Sequence, residues 1–101
     1  MKQHNYFTYI TTNASRGVLY TGVTNDLHTR LTQHKADAMG DKSSFAGKYN
    51  CYHLVYWERH PNIHHAIERE KEIKGWSRAK KEQLIAAMNP DFRFLEDELG
   101  E

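Results

Sequence analysis

The sequence predicts an α+β fold, with a small three-stranded antiparallel sheet flanked by helices in the order β-β-α-β-α-α. Three observations predict it. Two segments rich in β-branched and aromatic residues flank a turn near the N-terminus, a third apolar segment follows in mid-chain, and segments with helix-capping residues and helical spacing occupy much of the remainder. With 101 residues the chain has room for one modest core, so residues 1–101 are expected to form a single domain.

The sequence of the first half of the chain predicts a hairpin followed by a helix. The segment Tyr6–Thr12 is typical of a strand, residues 13–17 have the composition of a turn, and Val18–Val23 supplies the second strand. Three polar residues at 24–26 offer N-cap side chains for a helix that runs from Leu27 to about Ala38.

The second half predicts one more strand and two more helices. The glycine- and serine-containing segment Met39–Asn50 is typical of a loop. The segment Cys51–Glu58 is apolar nearly throughout, which favours a strand in the buried centre of the sheet. A helix is predicted over Ile63–Lys74, and a last helix runs from a cap at Ser77 to about Met88.

The composition favours a soluble protein of the cytoplasm. No apolar run approaches the roughly 18 residues that a membrane span requires. The first five residues lead directly into a strand-like segment, so no signal peptide is predicted. With Cys51 as its single cysteine, the chain can form no internal disulfide and no cysteine-based zinc finger.

Charge is distributed unevenly along the chain. From Pro90 onward, residues 90–101 form an acidic tail in which Arg93 is the single base, and the preceding part of the chain is net basic. Lysine and arginine recur across the last two helices, where they offer a surface for a phosphate backbone; the residues concerned are Lys71, Lys74, Arg78 and Lys81. An ordinary solvated surface would have the same composition.

Glu70 occupies an unusual position on the predicted helix Ile63–Lys74. At 100° per residue it falls near the middle of the arc formed by Ala66 and Ile73, where an unpaired carboxylate is costly to bury. Metal binding or catalysis explains such a placement, and so does an ion pair with Lys74 one turn later.

Polar residues also border the apolar face of the first helix. Arg30 and His34 lie four residues apart beside that face, where a cation and an imidazole can bind and act on a phosphate, or can simply rest on the sheet. Tyr9 and Tyr20 are expected to be neighbours across the hairpin, and Gly22 leaves space where a backbone or a ligand comes close.

Together these residues resemble the pattern of the GIY-YIG nucleases, in particular their small single-domain bacterial branch and the N-terminal nuclease domain of the excision-repair endonuclease subunit. The segments 7–9 and 20–22 resemble the two signature tripeptides, with Phe7 and Thr8 in place of the glycine and isoleucine of the first. The segment 25–35 resembles the family's first helix, the segment 69–85 its glutamate-bearing helix, and Asn89 the late asparagine.

The resemblance implies a metal-dependent endonuclease that hydrolyses phosphodiester bonds in DNA or another nucleic acid, in a setting such as DNA repair. Glu70 would hold a single Mg²⁺ or Mn²⁺, and Arg30 would clamp the scissile phosphate. Tyr9 or Tyr20 would take a proton from water, directly or with His34 as partner base, and Asn89 would be a supporting hydrogen-bond group. The sequence does not indicate which of the two tyrosines accepts the proton.

The principal alternative is a non-catalytic module that uses the same fold to bind nucleic acid or a protein. Members of the family often rely on separate domains to select their substrate, so a protein partner that supplies target specificity is also expected. No interaction with a membrane is predicted.

Overall fold

The computed structural model describes residues 5–99 and confirms the predicted α+β class. The first four residues, on which the absence of a signal peptide was predicted, and the last two residues of the acidic tail lie outside this range. Three antiparallel strands form one sheet: β1 (Tyr6–Thr12), β2 (Leu19–Thr24) and β3 (His53–His60).

The predicted place of the third strand is wrong. The strand order is β2-β1-β3, so β1 is central and the apolar strand β3 lies at an edge. The edge of β3 is covered by the segment that follows α4, since Leu95 N–H donates to Leu54 O at 2.7 Å and Glu96 Oε1 accepts from Leu54 N–H at 2.9 Å. An edge strand covered in this way is as apolar as a central one. This contact also shows that the start of the acidic tail packs on the sheet.

Helices occupy the predicted positions, with capping residues at their N-termini. Asp26, Asn62 and Ser77 each accept a backbone N–H at the start of a helix, which satisfies a donor that the helix itself leaves unpaired. The helices are α1 (Leu27–Met39), α2 (Phe45–Lys48), α3 (Ile63–Lys74) and α4 (Arg78–Met88), with a 3₁₀ turn at Glu96–Glu98. No described helix has the length and apolar character needed to cross a membrane.

The short helix α2 lies inside the segment that was predicted as a loop. Ser44 caps it, and the Asp37 carboxylate on α1 accepts hydrogen bonds from the backbone and hydroxyl groups of Ser43 and Ser44. These hydrogen bonds hold the pKa of Asp37 well below its usual value. A helix of four residues has no periodic pattern, so only its cap could have indicated it.

The sheet has an apolar cluster on each face. Tyr9 packs with residues of α1, whereas its neighbour Ile10 points to the opposite face and packs with Ile73 of α3 and Ile85 of α4. Helix α3 also contacts the edge strand β2, and Tyr20 of β2 packs against the cluster that includes Leu27 and Leu31 of α1. Residues from both layers therefore meet along β2.

Candidate active site

The two tyrosines of the hairpin lie together, as predicted. Tyr9 on β1 pairs with Gly22 on β2, so Tyr20 lies diagonally across, with 6.4 Å between the centroids of the two rings. Tyr9 is fully buried and Tyr20 is half-buried. Because Gly22 has no side chain, the Tyr9 hydroxyl occupies the space directly above it. The chain thus presents one inner and one outer phenol at this edge of the sheet.

His34 joins Tyr9 from the first helix. Its Nε2 lies 2.8 Å from the Tyr9 hydroxyl, and only 2% of the residue is exposed. Burial, together with the positive charge of Arg30, lowers the pKa of His34 to about 4, against a smaller opposing effect of Asp37. The imidazole is therefore neutral near pH 7. In the tautomer with hydrogen on Nδ1, its Nε2 accepts a hydrogen bond from Tyr9.

Burial raises the pKa of Tyr9, whereas it lowers the pKa of His34. The pKa of the Tyr9 phenol lies well above its ordinary value of 10, and the neighbouring Tyr20 adds to the rise. The charge of Arg30 opposes this shift and the carboxylate of Glu70 reinforces it. Tyr9 is consequently a neutral phenol at neutral pH, and one whose proton can leave only with the help of a nearby acceptor.

Arg30 lies one turn before His34 on α1 and acts on both tyrosines. Burial tends to lower the pKa of its guanidinium, but the hydroxyls of Tyr9 and Tyr20 outweigh this effect and raise the pKa. One of its nitrogens donates to Gln33 Oε1 at 3.0 Å, which orients the group. A half-buried guanidinium beside two hydroxyls is suited to bind an oxyanion.

Glu70 approaches from α3. Its carboxylate lies 3.0 Å from Lys74 Nζ, the ion pair considered from the sequence, and only 20% of its side chain is exposed. The same Lys74 ammonium lies 5.9 Å from the centroid of the Tyr20 ring. The carboxylate is therefore close to the tyrosines and is neutralised by an exposed, movable cation.

The structure thus brings together five of the six predicted catalytic residues, and Asn89 has other partners. It ends α4, where its Nδ2 donates to Val55 O at 3.0 Å and to Arg93 O at 2.8 Å, and its Oδ1 accepts from Arg93 N–H at 2.9 Å. None of these hydrogen bonds involves Tyr9, Arg30 or Glu70. They join the end of α4 to the sheet and to the C-terminal segment.

We expect Asn89→Ala to lower the free energy of unfolding by about 2–3 kcal/mol, because it leaves buried backbone groups without partners. Denaturant unfolding monitored by circular dichroism measures this loss. Asn89→Asp should lose at least as much, since its buried carboxylate cannot donate to Val55 O and Arg93 O and would lie against both carbonyl oxygens. A stability equal to that of the wild type in the alanine variant would contradict this structural role.

The four basic residues predicted to bind nucleic acid have different surroundings. Lys71 is exposed on α3, and Lys74 and Lys81 line a depression of about 330 Å³ beside Tyr20. Arg78 instead donates to the backbone carbonyls of Arg16 and Gly17 and pairs with Glu82, so it holds the hairpin turn against α4.

Sequence analysis missed one aromatic residue of this region, Phe45 on α2. Its ring stacks on Tyr20 with 6.0 Å between centroids, and Tyr49 lies 4.7 Å beyond it. The available signal was the capping residue Ser44 immediately before Phe45.

The close contact at Gly22 leads to a prediction about the site's geometry. A Cβ at this position would lie 2.5 Å from the Tyr9 hydroxyl oxygen and 2.7 Å from the adjacent ring carbon. Tyr9 is fully buried, so we expect Gly22→Ala to displace its ring and to lower the free energy of unfolding by about 1–3 kcal/mol. Histidine NMR titration should show the pKa of His34 moving toward its ordinary value.

Gly75→Ala is the matched control, because an added Cβ there meets its nearest neighbour, Glu72 O, only at 3.5 Å, an ordinary contact. That variant should keep the stability and the His34 titration of the wild type. An unchanged His34 titration in Gly22→Ala would mean that Tyr9 has room to move.

Comparison with known proteins agrees with this fold. The model of the GIY-YIG catalytic domain matches residues 5–83. The chain belongs to the GIY-YIG family, whose members are generally nucleases.

Within the family, the chain is similar to small proteins of the UPF0213 group. It is 35% identical to a UPF0213 protein of Natronomonas pharaonis, over 81% of this chain and 92% of that protein. It is 36% identical to a UPF0213 protein of Staphylococcus aureus, over 80% and 94% of the two chains. The solution NMR structure of a UPF0213 protein from Bacillus halodurans matches with a TM-score of 0.54 and 31% identity, and covers 87% of this chain and 89% of that one.

Proposed function

We propose that this protein is a metal-dependent endonuclease that hydrolyses phosphodiester bonds in DNA or a related nucleic acid. The observation that supports this most is the meeting of two phenols, a neutral imidazole, a guanidinium and a carboxylate at the β2 edge of the sheet. Hydrolysis of a phosphodiester needs a proton acceptor for water, a cation for the phosphoryl oxygens and stabilisation of the leaving oxygen. The five groups match these needs.

The residues present fit a single divalent cation. Among residues 5–99, no group of three or more histidine, cysteine, aspartate or glutamate side chains could hold a metal ion by itself. Glu70 is a half-buried carboxylate, and one carboxylate with phosphate and water oxygens is a common environment for Mg²⁺ or Mn²⁺. When bound, the cation supplies positive charge at the phosphoryl oxygens. Lys74 must then release Glu70, and its exposed side chain permits this.

Arg30 and the tyrosines act on the phosphate and the attacking water. The Arg30 guanidinium binds a phosphoryl oxygen and holds the group beside the two hydroxyls. Tyr9 is hydrogen-bonded to His34, so a proton received by its oxygen can be balanced by the proton that it gives to Nε2. Tyr20, the outer phenol, lies against the ring of Phe45 and contributes to the position of the phosphate.

Three of the predicted basic residues are suited to follow the nucleic-acid backbone on either side of the cut. Lys74 and Lys81 line the depression next to Tyr20, and Lys71 is exposed on the same helix as Glu70. We assign Arg78 a structural role in the free protein, since its guanidinium is engaged by the hairpin turn. A protein partner would add the target selection that these contacts do not provide.

One observation favours the alternative, a non-catalytic binding module: Lys74 already neutralises the carboxylate of Glu70. A permanent ion pair would keep a metal out while leaving a basic surface for nucleic acid. Binding without cleavage is the expected behaviour of such a module.

A cleavage assay separates the two functions. Linear, nicked, branched and single-stranded DNA, together with RNA, are incubated with the protein and Mg²⁺, Mn²⁺ or EDTA, and the products are resolved on a denaturing gel. The proposal predicts internal cuts that require the metal. Binding to the panel without any cut in either metal would favour the binding module.

A further inference from the structure

The short helix α2 exposes two aromatic rings at the mouth of the proposed active site. Phe45 is 52% exposed and Tyr49 is 40% exposed, although large aromatic side chains usually contribute to the core. Their rings contact each other, with centroids 4.7 Å apart and an interplanar angle of 49°. Exposed aromatic groups beside a reactive site favour a role in ligand binding.

These rings continue an aromatic series that reaches the reactive groups. Phe45 lies nearly parallel to Tyr20, at an interplanar angle of 25°, and Tyr20 contacts His34 edge to face at 5.4 Å. The series therefore runs from Tyr49 on the surface, through Phe45 and Tyr20, to the hydrogen-bonded pair of His34 and Tyr9. A phosphate held at Tyr20 would place its own or the adjacent nucleotide next to Phe45.

The helix that carries the rings is held firmly in place. The Asp37 carboxylate accepts hydrogen bonds from Ser44, the residue just before α2, and Gly47 of α2 lies so close to Asp37 that an added Cβ would overlap the carboxylate. A ring on a fixed support loses little conformational entropy when a ligand stacks on it.

Cations surround these rings, which indicates the chemistry of the ligand. Lys48 Nζ lies 5.5 Å from the centroid of the Tyr49 ring. Lys74 and Lys81 line the same depression as Phe45 and Tyr20. Aromatic faces interleaved with lysines bind single strands, because bases stack on the rings while the phosphates meet the ammonium groups. In a regular duplex the faces of the bases are already covered by their neighbours.

We propose that Phe45 and Tyr49 form a stacking platform for an unpaired base next to the phosphate that is cut. The preferred substrate is then a strand that is single-stranded at the cleavage point, as in a gap, a flap or a loop. This inference rests on the proposed nuclease function for the position of the phosphate, but the platform can be tested by binding alone.

The test measures binding in EDTA, where no cleavage is proposed to occur. Fluorescence anisotropy gives the affinity for a labelled oligothymidylate, for an abasic strand of equal length and charge, and for a duplex. Wild-type protein should bind the strand with bases about five- to fifty-fold more tightly than the abasic strand. The same comparison with oligouridylate and an abasic RNA strand shows whether the protein binds bases of RNA, of DNA or of both. Tighter binding of the base-bearing strand in the RNA pair or in the DNA pair supports the platform.

The variants Phe45→Leu and Tyr49→Leu remove the aromatic faces and keep an apolar side chain. Each should reduce the ratio of the two affinities toward one and leave the affinity for the abasic strand unchanged. Met88→Leu is the control, since Met88 is also exposed (42%) but lines a different cavity, and it should keep the wild-type ratio. Circular dichroism checks that each variant remains folded.

An unchanged ratio in both leucine variants would overturn the platform, as would an equal loss of affinity for both strands in folded protein. The proposed nuclease function fails by a different result, the absence of cleavage by the wild type. Cleavage with an affinity ratio of one would leave the nuclease standing and reject the platform.

Discussion

Replacing Glu70 by glutamine is expected to reduce metal-dependent cleavage by about 10²–10³-fold. Glutamine keeps the size and hydrogen-bonding oxygen of the side chain but removes the negative charge that would hold the cation. The Glu70 side chain is half-buried, with 20% of it exposed, and glutamine has nearly the same size and shape, so the backbone should be undisturbed. The rate of cleavage at saturating Mg²⁺ measures the effect, and a titration with Mn²⁺ shows whether metal affinity has fallen as well.

The matched control is Glu68→Gln on the same helix. Glu68 is exposed, two residues away, so this variant removes an equal charge outside the site and should keep a rate within about threefold of the wild type. Full activity of Glu70→Gln would mean that this carboxylate holds no catalytic metal. Equal losses in both variants would point to the overall charge of the helix and not to a metal ligand.

Lys74 supplies a related prediction, because it is the cation that Glu70 must release. We expect Lys74→Met to lower the concentration of Mg²⁺ needed for half-maximal cleavage, provided that enough substrate is present to offset the lost phosphate contact. A metal requirement that is unchanged would show that the ion pair does not compete with the cation.

Local signals predicted most of the fold. The caps Asp26, Asn62 and Ser77 act between neighbours in sequence, and they set the helix starts where they were expected. The order of the strands depends on long-range contacts. The apolar run in β3 indicated burial, but it could not tell a central strand from an edge covered by Leu95 and Glu96, some forty residues later.

The candidate site was predictable where a polar residue broke a local pattern. Glu70 on an apolar arc and the Arg30–His34 pair beside another apolar face gave such signals, and the family resemblance joined them. Arg78 gave no comparable signal, because its use in holding the turn at Gly17 depends on a contact between distant parts of the chain. The proximity of Phe45 to Tyr20 likewise depends on the hydrogen bond between Ser44 N–H and the Asp37 carboxylate, which fixes the position of α2.

The identity of the proton acceptor can be decided by comparing the two tyrosines. Tyr9 is fully buried with a raised pKa, so it is a poor base when acting alone. It is, however, hydrogen-bonded to a neutral imidazole at 2.8 Å. We infer that His34 is the base and that Tyr9 passes the proton: water gives a proton to the Tyr9 oxygen as the Tyr9 hydroxyl gives its own to His34 Nε2.

This arrangement predicts that Tyr9→Phe and His34→Gln each lose about 10²–10⁴-fold in cleavage rate. The double variant should lose no more than the more affected single variant, because the two groups act in one step. Tyr20→Phe keeps the pair intact and should lose less than about tenfold. Single-turnover rates at saturating metal measure these effects, and histidine NMR confirms the environment of His34 in the Tyr20 variant.

The pH dependence of the rate follows from the pKa of His34. The base must be unprotonated, and burial keeps its pKa at about 4, so the contribution of His34 is fully present at neutral pH and is lost only as the pH falls through that value. The wild-type rate should therefore show no loss from this group above about pH 5, whereas an ordinary histidine would already impose a loss near pH 6.5. A larger loss in Tyr20→Phe than in Tyr9→Phe would instead make the outer phenol the proton acceptor. Losses of Tyr9→Phe and His34→Gln that multiply in the double variant would show that these two groups do not act in one step.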